Sequence, residues 1–474
     1  MDAIEPLSHT RIIKEETNAM QTTQETLAAQ NGRLASDDHS VAAAAVAANP
    51  METARALDRR IAWRIVPLAV IGYVIAQIDR TNVAFAKLQF MSDLAFGEAV
   101  YGMGAGLFFA GYFLFEMPSN LLLARIGARL TFTRIMVLWG ALSVGMAFIS
   151  TPTQFYVMRF LLGVAEAGFF PGIILYFSFW LPKEIRGRAT SFFAMGASIA
   201  GVIGSPISGW LMSLDGLHAL RGWQLIFIYE GVPAILLGLF CFFYVDDKPE
   251  HARWLSRDEK DLLLARLASE APSHRGEHRS LAQLFRDPNV LLLALAYLSI
   301  LAGTQAVSLW TPTLLKHLGV GVTIIGALAA IPPAVAIAAV FFIGRSSDRH
   351  QERRWHFAVS MLAASASLVL LPLASSSMFW TMASMSVVAG GTWAALAVFW
   401  TIPPAYLSPA AKAGGIAFIS SAGAIGGFLS PVIVGWSGAL TGSLFGGLAV
   451  IGLMLALSAL ALVISVGRTR VKSA

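Results

Sequence analysis

The sequence predicts an all-α polytopic membrane protein, with twelve transmembrane helices in two pseudo-symmetric six-helix bundles. Three observations predict it. The 474 residues are 56% hydrophobic and only 13% charged, against about 25% charged in soluble domains. Apolar runs long enough to cross a bilayer, which takes about 20 residues, recur along the chain. These runs are continuous, as around residues 290–310 and from Leu444 to Val466, and lack the period-two alternation of a transmembrane barrel.

Residues 1–58 are polar, with Gln-, Thr- and Glu-rich stretches and an alanine run within Val41–Ala48. No basic stretch precedes an apolar segment there, so the segment reads as a disordered cytoplasmic tail and not as a signal peptide. Spans are expected to start near Ile61, Val100, Thr131, Thr153, Ala189 and Gln224, then near Asn289, Thr323, His356, Phe379, Ala413 and Leu444. This gives bundles at 59–244 and 289–467, a central loop at 245–288 and a tail at 468–474. In the loop, Ser256 followed by Glu259 reads as a capping box that starts a surface helix running to Glu270.

Lysine and arginine placement sets the orientation. With the N-terminus inside, the inner segments hold Arg55, Arg59, Arg60, Arg64, Arg125, Arg129, Arg134, Lys183, Arg186, Arg188, Arg345, Arg349, Arg353 and Arg354. The outer loops hold Lys87, Arg221 and Lys316. The expectation is a multi-pass protein of the cell inner membrane with both termini cytoplasmic. The net charge of +6 is thus a topology signal and does not indicate a nucleic-acid partner. The two halves also echo one another. Gly209-Trp210 recurs as Gly435-Trp436, Leu181-Pro182 lines up with Leu407-Ser408, and Asn120–Arg129 lines up with Gly344–Arg353 at nearly the same spacing. A duplicated six-helix unit follows.

An ionisable residue at mid-bilayer depth costs about 2.5–3.5 kcal/mol or more and marks a functional hypothesis. The first half places Asp79 and Arg80 late in span one, and Arg159 and Glu166 in span four. The second half places none at central depth. Arg159 and Glu166, two turns apart, share a helix face. Tyr73, Gln77 and Arg80 form a polar stripe on span one. If these faces meet, two positive and two negative groups adjoin with formal sum zero. One reading is a structural ion-pair lock between helices. The other is a site where protonation of a carboxylate leaves net positive charge that attracts an anion.

Neutral groups in the second half, Gln305 and Ser308, Thr392, Trp393 and Trp400, Ser420 and Ser421, would hold the body of a polar substrate, or serve only helix packing. Glu116 reads as a gate or loop anchor, Glu230 likewise, and His356 as interfacial. The lone Cys241 permits no disulfide or cysteine metal site within the chain, and no metal site is expected.

These residues carry a resemblance. Gly344-Arg345-Ser346-Ser347-Asp348-Arg349, followed by Arg353-Arg354, is similar to the signature loop between spans eight and nine of the major facilitator superfamily. Asn120–Arg129 resembles a degenerate copy, with Ala124 where an aspartate is usual. Asp79-Arg80-Thr81-Asn82-Val83, Glu116-Met117-Pro118-Ser119-Asn120 and Arg159 through Pro171 resemble the anion:cation symporter family, nearest its tartrate, sugar-acid, phthalate and hydroxyphenylacetate permease branch.

The resemblance implies proton-coupled uptake of a small organic carboxylate by alternating access. Asp79 and Glu166 would couple protons. Arg80 and Arg159 would face the substrate, with Tyr73, Gln77, Gln305, Trp393, Ser420 and Ser421 lining its site. Glu116, Asp348 and Arg349 would gate. The chain departs from the pattern at Gln77, where members often carry tyrosine two residues before the aspartate, and at Ser420, Ser421 and Ala424, where sugar-acid members often carry asparagines. The fewer amide groups, with Trp393 and Trp400, suggest a less hydroxylated substrate, aromatic or a small dicarboxylate. The expected partners are the anion, protons and the bilayer, the expected state is a monomer, and no cofactor is expected beyond the proton gradient. Two rivals stand: a proton antiporter exporting drugs or metabolites, hinted at by Gly201–Gly209 around Ser205-Pro206, and a transporter-like sensor signalling through its loop or tail. A membrane enzyme has no nucleophile–base constellation to support it.

Overall fold

The computed structural model describes residues 50–270, 287–403 and 409–472, and among them all regular structure is helical. The described residues fall into two units, 50–63 and those from Arg64 onward. The described part of the first, 50–63, is helical, so residues 50–58 of the expected tail are helix; residues 1–49, the 271–286 part of the central loop, Leu407-Ser408 and residues 473–474 lie outside the described residues. All that follows concerns the second unit.

The helices in chain order are α1 Pro50–Asp93, α2 Glu98–Ile126, α3 Ala128–Met146, α4 Pro152–Glu166, α5 Phe169–Trp180, α6 Lys183–Ser213, α7 Gly222–Tyr244 and α8 Arg257–Ser269, then α9 Pro288–His317, α10 Val322–Ala329, α11 Ile331–His350, α12 Arg354–Ala374, α13 Met378–Phe399, α14 Pro409–Thr441 and α15 Phe445–Lys472. Among the described residues, eleven helical segments are long and apolar enough to cross a membrane, counting α4 with α5 and α10 with α11 as one each. The twelfth crossing falls to α3. Its 19 residues span about 28 Å at 1.5 Å per residue, and Arg129 and Arg134 lower its apolar content.

Local chemistry starts and breaks these helices. Thr151 caps α4 by accepting from Gln154 N, with Pro152 at the first helical position. Asp287 and Pro288 do the same for α9. The Ser256–Glu259 capping box of α8 forms with both its hydrogen bonds. The fourth span breaks after Glu166. Ala167 is extended and Gly168 is left-handed at φ 87°, where a Cβ would lie 2.5 Å from Ser119 Oγ, so only glycine fits. The eighth breaks at Ala330, where Pro332 and Pro333 cannot continue the backbone ladder and begin α11 instead.

Within the first half α3 packs on α7 and α2 on α4. Within the second α9 packs on α14 and α15, and α12 and α11 on α13. Two seams join the halves: α2 with α14, and α6 with α10 and α11. The seams close on small residues. A Cβ at Gly102 would lie 2.4 Å from the Pro431 carbonyl oxygen, and one at Gly209 would lie 2.7 Å from Gly326 Cα. These contacts all sit at the end of the bundle where α1 finishes and α2 begins. Lys87, placed in an outer loop by sequence reasoning, is buried there inside α1. It pairs with Glu98 at 2.7 Å and lies 4.1 Å from the Trp310 ring and 4.6 Å from that of Tyr101. Large apolar side chains such as Phe243, Leu373 and Leu440 point outward, a surface suited to acyl chains and not to water.

At the opposite end α8 is clasped to the start of α6. Lys183 N and Arg186 Nη2 donate to the two Glu270 oxygens, each at 2.7 Å, and Trp254 stacks on Trp180 with centroids 5.7 Å apart.

Candidate functional site

α1 and α4 bring the four charged residues together. Arg80 Nε donates to Glu166 Oε1 at 2.6 Å, although the residues are 86 apart in the chain. The break at Ala167–Gly168 makes this possible, because it ends α4 at Glu166 and leaves that side chain at the helix terminus. Asp79 points elsewhere, as its place one residue round the helix requires. Its Oδ1 accepts a short hydrogen bond from Ser143 Oγ of α3 and a second from Asn82 Nδ2 at 3.1 Å. Arg159 donates through Nε to the Gly104 carbonyl at 3.4 Å, and its charge acts on Asp79, Tyr101 and Glu166. The Phe108 ring lies under both guanidinium groups, 4.9 Å from Arg159 and 5.4 Å from Arg80, and the Tyr112 ring lies 4.8 Å from Arg80.

The cluster is sequestered and incomplete. Asp79, Arg159 and Glu166 are each 1% exposed, whereas Arg80 is 20% exposed. Buried Asp79 Oδ2, Glu166 Oε2, Arg159 Nη1 and Gln77 Oε1 have no hydrogen-bond partner. Most buried polar atoms in folded proteins are paired, so these atoms are positions that a bound group or water can fill. Donors and acceptors left open beside a partly exposed arginine suit a group that comes and goes. Tyr73 stays near this set, packed on Phe170 at 5.3 Å and Phe193 at 4.7 Å.

The expected site residues of the second half are neutral. Gln305, Trp393, Ser420 and Ser421 are half-buried on α9, α13 and α14. Thr392 is fully buried and donates to its own helix at Val388 O, so its hydroxyl is committed. Tyr297, which sequence reasoning missed inside an apolar run, packs on Phe399 at 5.4 Å and Trp400 at 4.9 Å. Its phenol lies within electrostatic range of Tyr73 and Glu116 of the first half.

The three expected gating residues fall in two places. Glu116 lies within reach of the Arg80 charge. Asp348 pairs with Arg353 at 2.6 Å, and with Arg349 it lines a 740 Å³ cleft between α11 and α13, apart from the ion cluster. On the matching first-half loop, where Ala124 offers no carboxylate, Asp247 accepts from Arg129 N at 2.8 Å. His356 holds Glu352 at 2.9 Å and Ser346 at 3.0 Å, a loop anchor. Ser143 and Ser208 also escaped sequence reasoning, because a serine in a glycine-rich apolar helix carries no signal of its own. Asn82 did carry one, standing three residues after Asp79 on the same face. Among the described residues no three His, Cys, Asp or Glu side chains gather as a metal site.

A twelve-crossing helical bundle of two halves, with a buried ionic cluster in the first, is the architecture of a membrane transporter. The chain belongs to the Major Facilitator Superfamily, whose family model matches residues 69–431. It is 42% identical over 415 residues to a putative tartrate transporter of Agrobacterium vitis, covering 88% of this chain and 92% of the relative. It is 40% identical over 400 residues to a quinolone resistance transporter of Acinetobacter baumannii, covering 84% of this chain and 92% of that one. Among solved structures it is similar to a bacterial homologue of the human lysosomal transporter Spinster, in an inward-facing and unoccupied conformation, with TM-score 0.69, 18% identity and coverage of 85% of this chain and 95% of that one.

Proposed function

We propose that this transporter carries a small organic carboxylate inward together with protons, by alternating access. The observation that carries the reading is the buried Arg80–Glu166 pair, with unpartnered Glu166 Oε2 and Arg159 Nη1 beside it. Protonating Glu166 releases Arg80 from its partner, and the two guanidinium forks then present a carboxylate-shaped site. Deprotonation lets Glu166 compete for Arg80 and expels the anion. Proton and anion therefore bind interdependently. The relative named as a tartrate transporter, at 42% identity, supports the substrate class. Tyr73, Gln77, Gln305, Trp393, Ser420 and Ser421 would line the site, with Glu116, Asp348 and Arg349 controlling access.

The end where Gly102 meets Pro431 is the outer end in this reading, closed here, and the arginine-rich loops and both termini are cytoplasmic. The bundles are 59–244 and 289–467, working as a monomer in the inner membrane with no cofactor. The relative named as a quinolone resistance transporter favours a second reading, proton-driven export. Reconstituted protein decides between them. With an inward proton gradient, tartrate and other small carboxylates should accumulate and quinolones should not. Glu166→Gln should abolish gradient-driven accumulation while retaining anion exchange. Proton uptake persisting in Glu166→Gln overturns the role of Glu166, and quinolone export without any carboxylate response overturns the anion reading.

A further inference from the structure

Glu230 is a buried carboxyl group that the mechanism above does not use. It lies on α7 and is 6% exposed. Ser208 Oγ, from α6, donates to its Oε1 at 2.6 Å, while its Oε2 is buried without a partner. From α1, Asn82 donates to Asp79 Oδ1 at 3.1 Å, and its amide also acts on the Glu230 carboxyl. The groups facing Glu230 are thus Ser208, Asn82 and Asp79. Its one charged neighbour, Asp79, bears the same sign, and no lysine or arginine acts on it among the described residues.

Charge counting gives this arrangement a consequence. Arg80 is engaged by Glu166, and the Arg159 charge acts on Asp79 and Glu166. The buried set therefore holds three carboxyl groups and only two guanidinium groups. Fully ionised, the buried set would carry a net charge of −1 before any anion arrived, in surroundings where an uncompensated charge is expensive. One proton neutralises it. The open Oε2 of Glu230 is the natural place, because an O–H there leaves the Ser208 hydrogen bond to Oε1 intact and leaves Asp79 ionised for Arg159. Two like carboxyls near one another also favour sharing a single proton.

We propose that Glu230 is a third proton-binding site of this chain, occupied while Asp79 is ionised and tied to Asp79 through Asn82. The proton comes from water and returns to it, and no other bond is made or broken. The proposal rests on the proton-coupled reading only for its place in the cycle, since the site itself is defined without substrate.

Infrared difference spectroscopy on purified protein in lipid vesicles tests it, through the C=O stretch of protonated carboxyl groups. At neutral pH the wild type should show such a band, and Glu230→Gln should lack it. Asp79→Asn should raise the proton concentration at which the Glu230 band is half-formed by tenfold or more, because the like charge is gone. Ser208→Ala, which keeps the carboxyl, should shift the band's frequency, and it serves if Glu230→Gln does not fold. A band of unchanged intensity in Glu230→Gln overturns the site, and so does a band unmoved in Ser208→Ala. Titration unmoved in Asp79→Asn overturns the tie to Asp79. Because no substrate is present, these outcomes are independent of whether carboxylates are taken up.

Discussion

At the scale of single residues, the two arginines do different work despite lying on one ring. Arg80 has a carboxylate partner and some exposure, and Arg159 has a backbone carbonyl, a buried unpartnered nitrogen and almost none. A planar fork can hold a carboxylate at two points, which a lysine ammonium cannot. Arg159→Lys should therefore weaken carboxylate binding by tenfold or more, about 1.4 kcal/mol, with the fold retained; thermal-shift titration against tartrate reads it. Arg80→Ala should do more damage, because Glu166 is left buried without its counter-charge. Removing one partner of a buried pair costs about 3–5 kcal/mol, which a lowered unfolding temperature would show. If Arg80→Ala leaves stability unchanged, the pair is not a buried one in the membrane.

At the scale of elements, the breaks and seams matter more than the helices. The α4–α5 break places Glu166 at a helix end, and Gly102 lets α2 and α14 touch. Gly102→Val puts side-chain atoms where the Pro431 carbonyl now sits, so the seam must part. The expected result is a population shifted toward opening at that end, read as a longer distance between spin labels on α2 and α14. An unchanged distance distribution would show that the seam does not hold that end shut.

The α8 clasp has its own signature. Burial pushes the Glu270 carboxyl up, but hydrogen bonds from Lys183 N and Arg186, with their charges, outweigh it and hold it below its ordinary value. A group depressed in the folded state stabilises above its unfolded pKa, about 4.3, and loses that contribution as pH falls through the folded value. The clasp should hold at neutral pH and release in acid, at a pH below the ordinary glutamate value. Separation of Trp254 from Trp180, seen in fluorescence, would report the release, and Glu270→Gln should remove its pH dependence.

At the scale of the whole molecule, the halves match in architecture and differ in chemistry. Ionic groups stand in the first and a neutral aromatic wall, with Tyr297 and Trp400, in the second. The orientation is testable directly. In intact cells a membrane-impermeant thiol reagent should label Leu217→Cys and spare Asp261→Cys, both exposed positions; Cys241 is buried and should not react. The reverse pattern would place the arginine-rich loops outside and turn the proposed direction of transport around.

What the sequence determined by itself follows from solvent. Water and lipid sort residues by composition alone, so the apolar runs were enough to predict twelve spans, eleven of which are helices long and apolar enough to cross, and the cost of a buried charge singled out Asp79, Arg80, Arg159 and Glu166. The first helix begins earlier than its apolar run, at Pro50 and not near Ile61, because a helix needs only backbone bonds to continue past the bilayer. Tertiary structure decided the partners. Arg80 reaching Glu166 depends on a left-handed glycine between two helices, and Lys87 turning from loop cation to buried residue depends on Glu98, Tyr101 and Trp310 converging on it. The grouping of Glu230 with Asp79 depends on α6 and α7 packing beside α1. Such contacts join residues far apart in the chain, and composition and spacing report only what lies near.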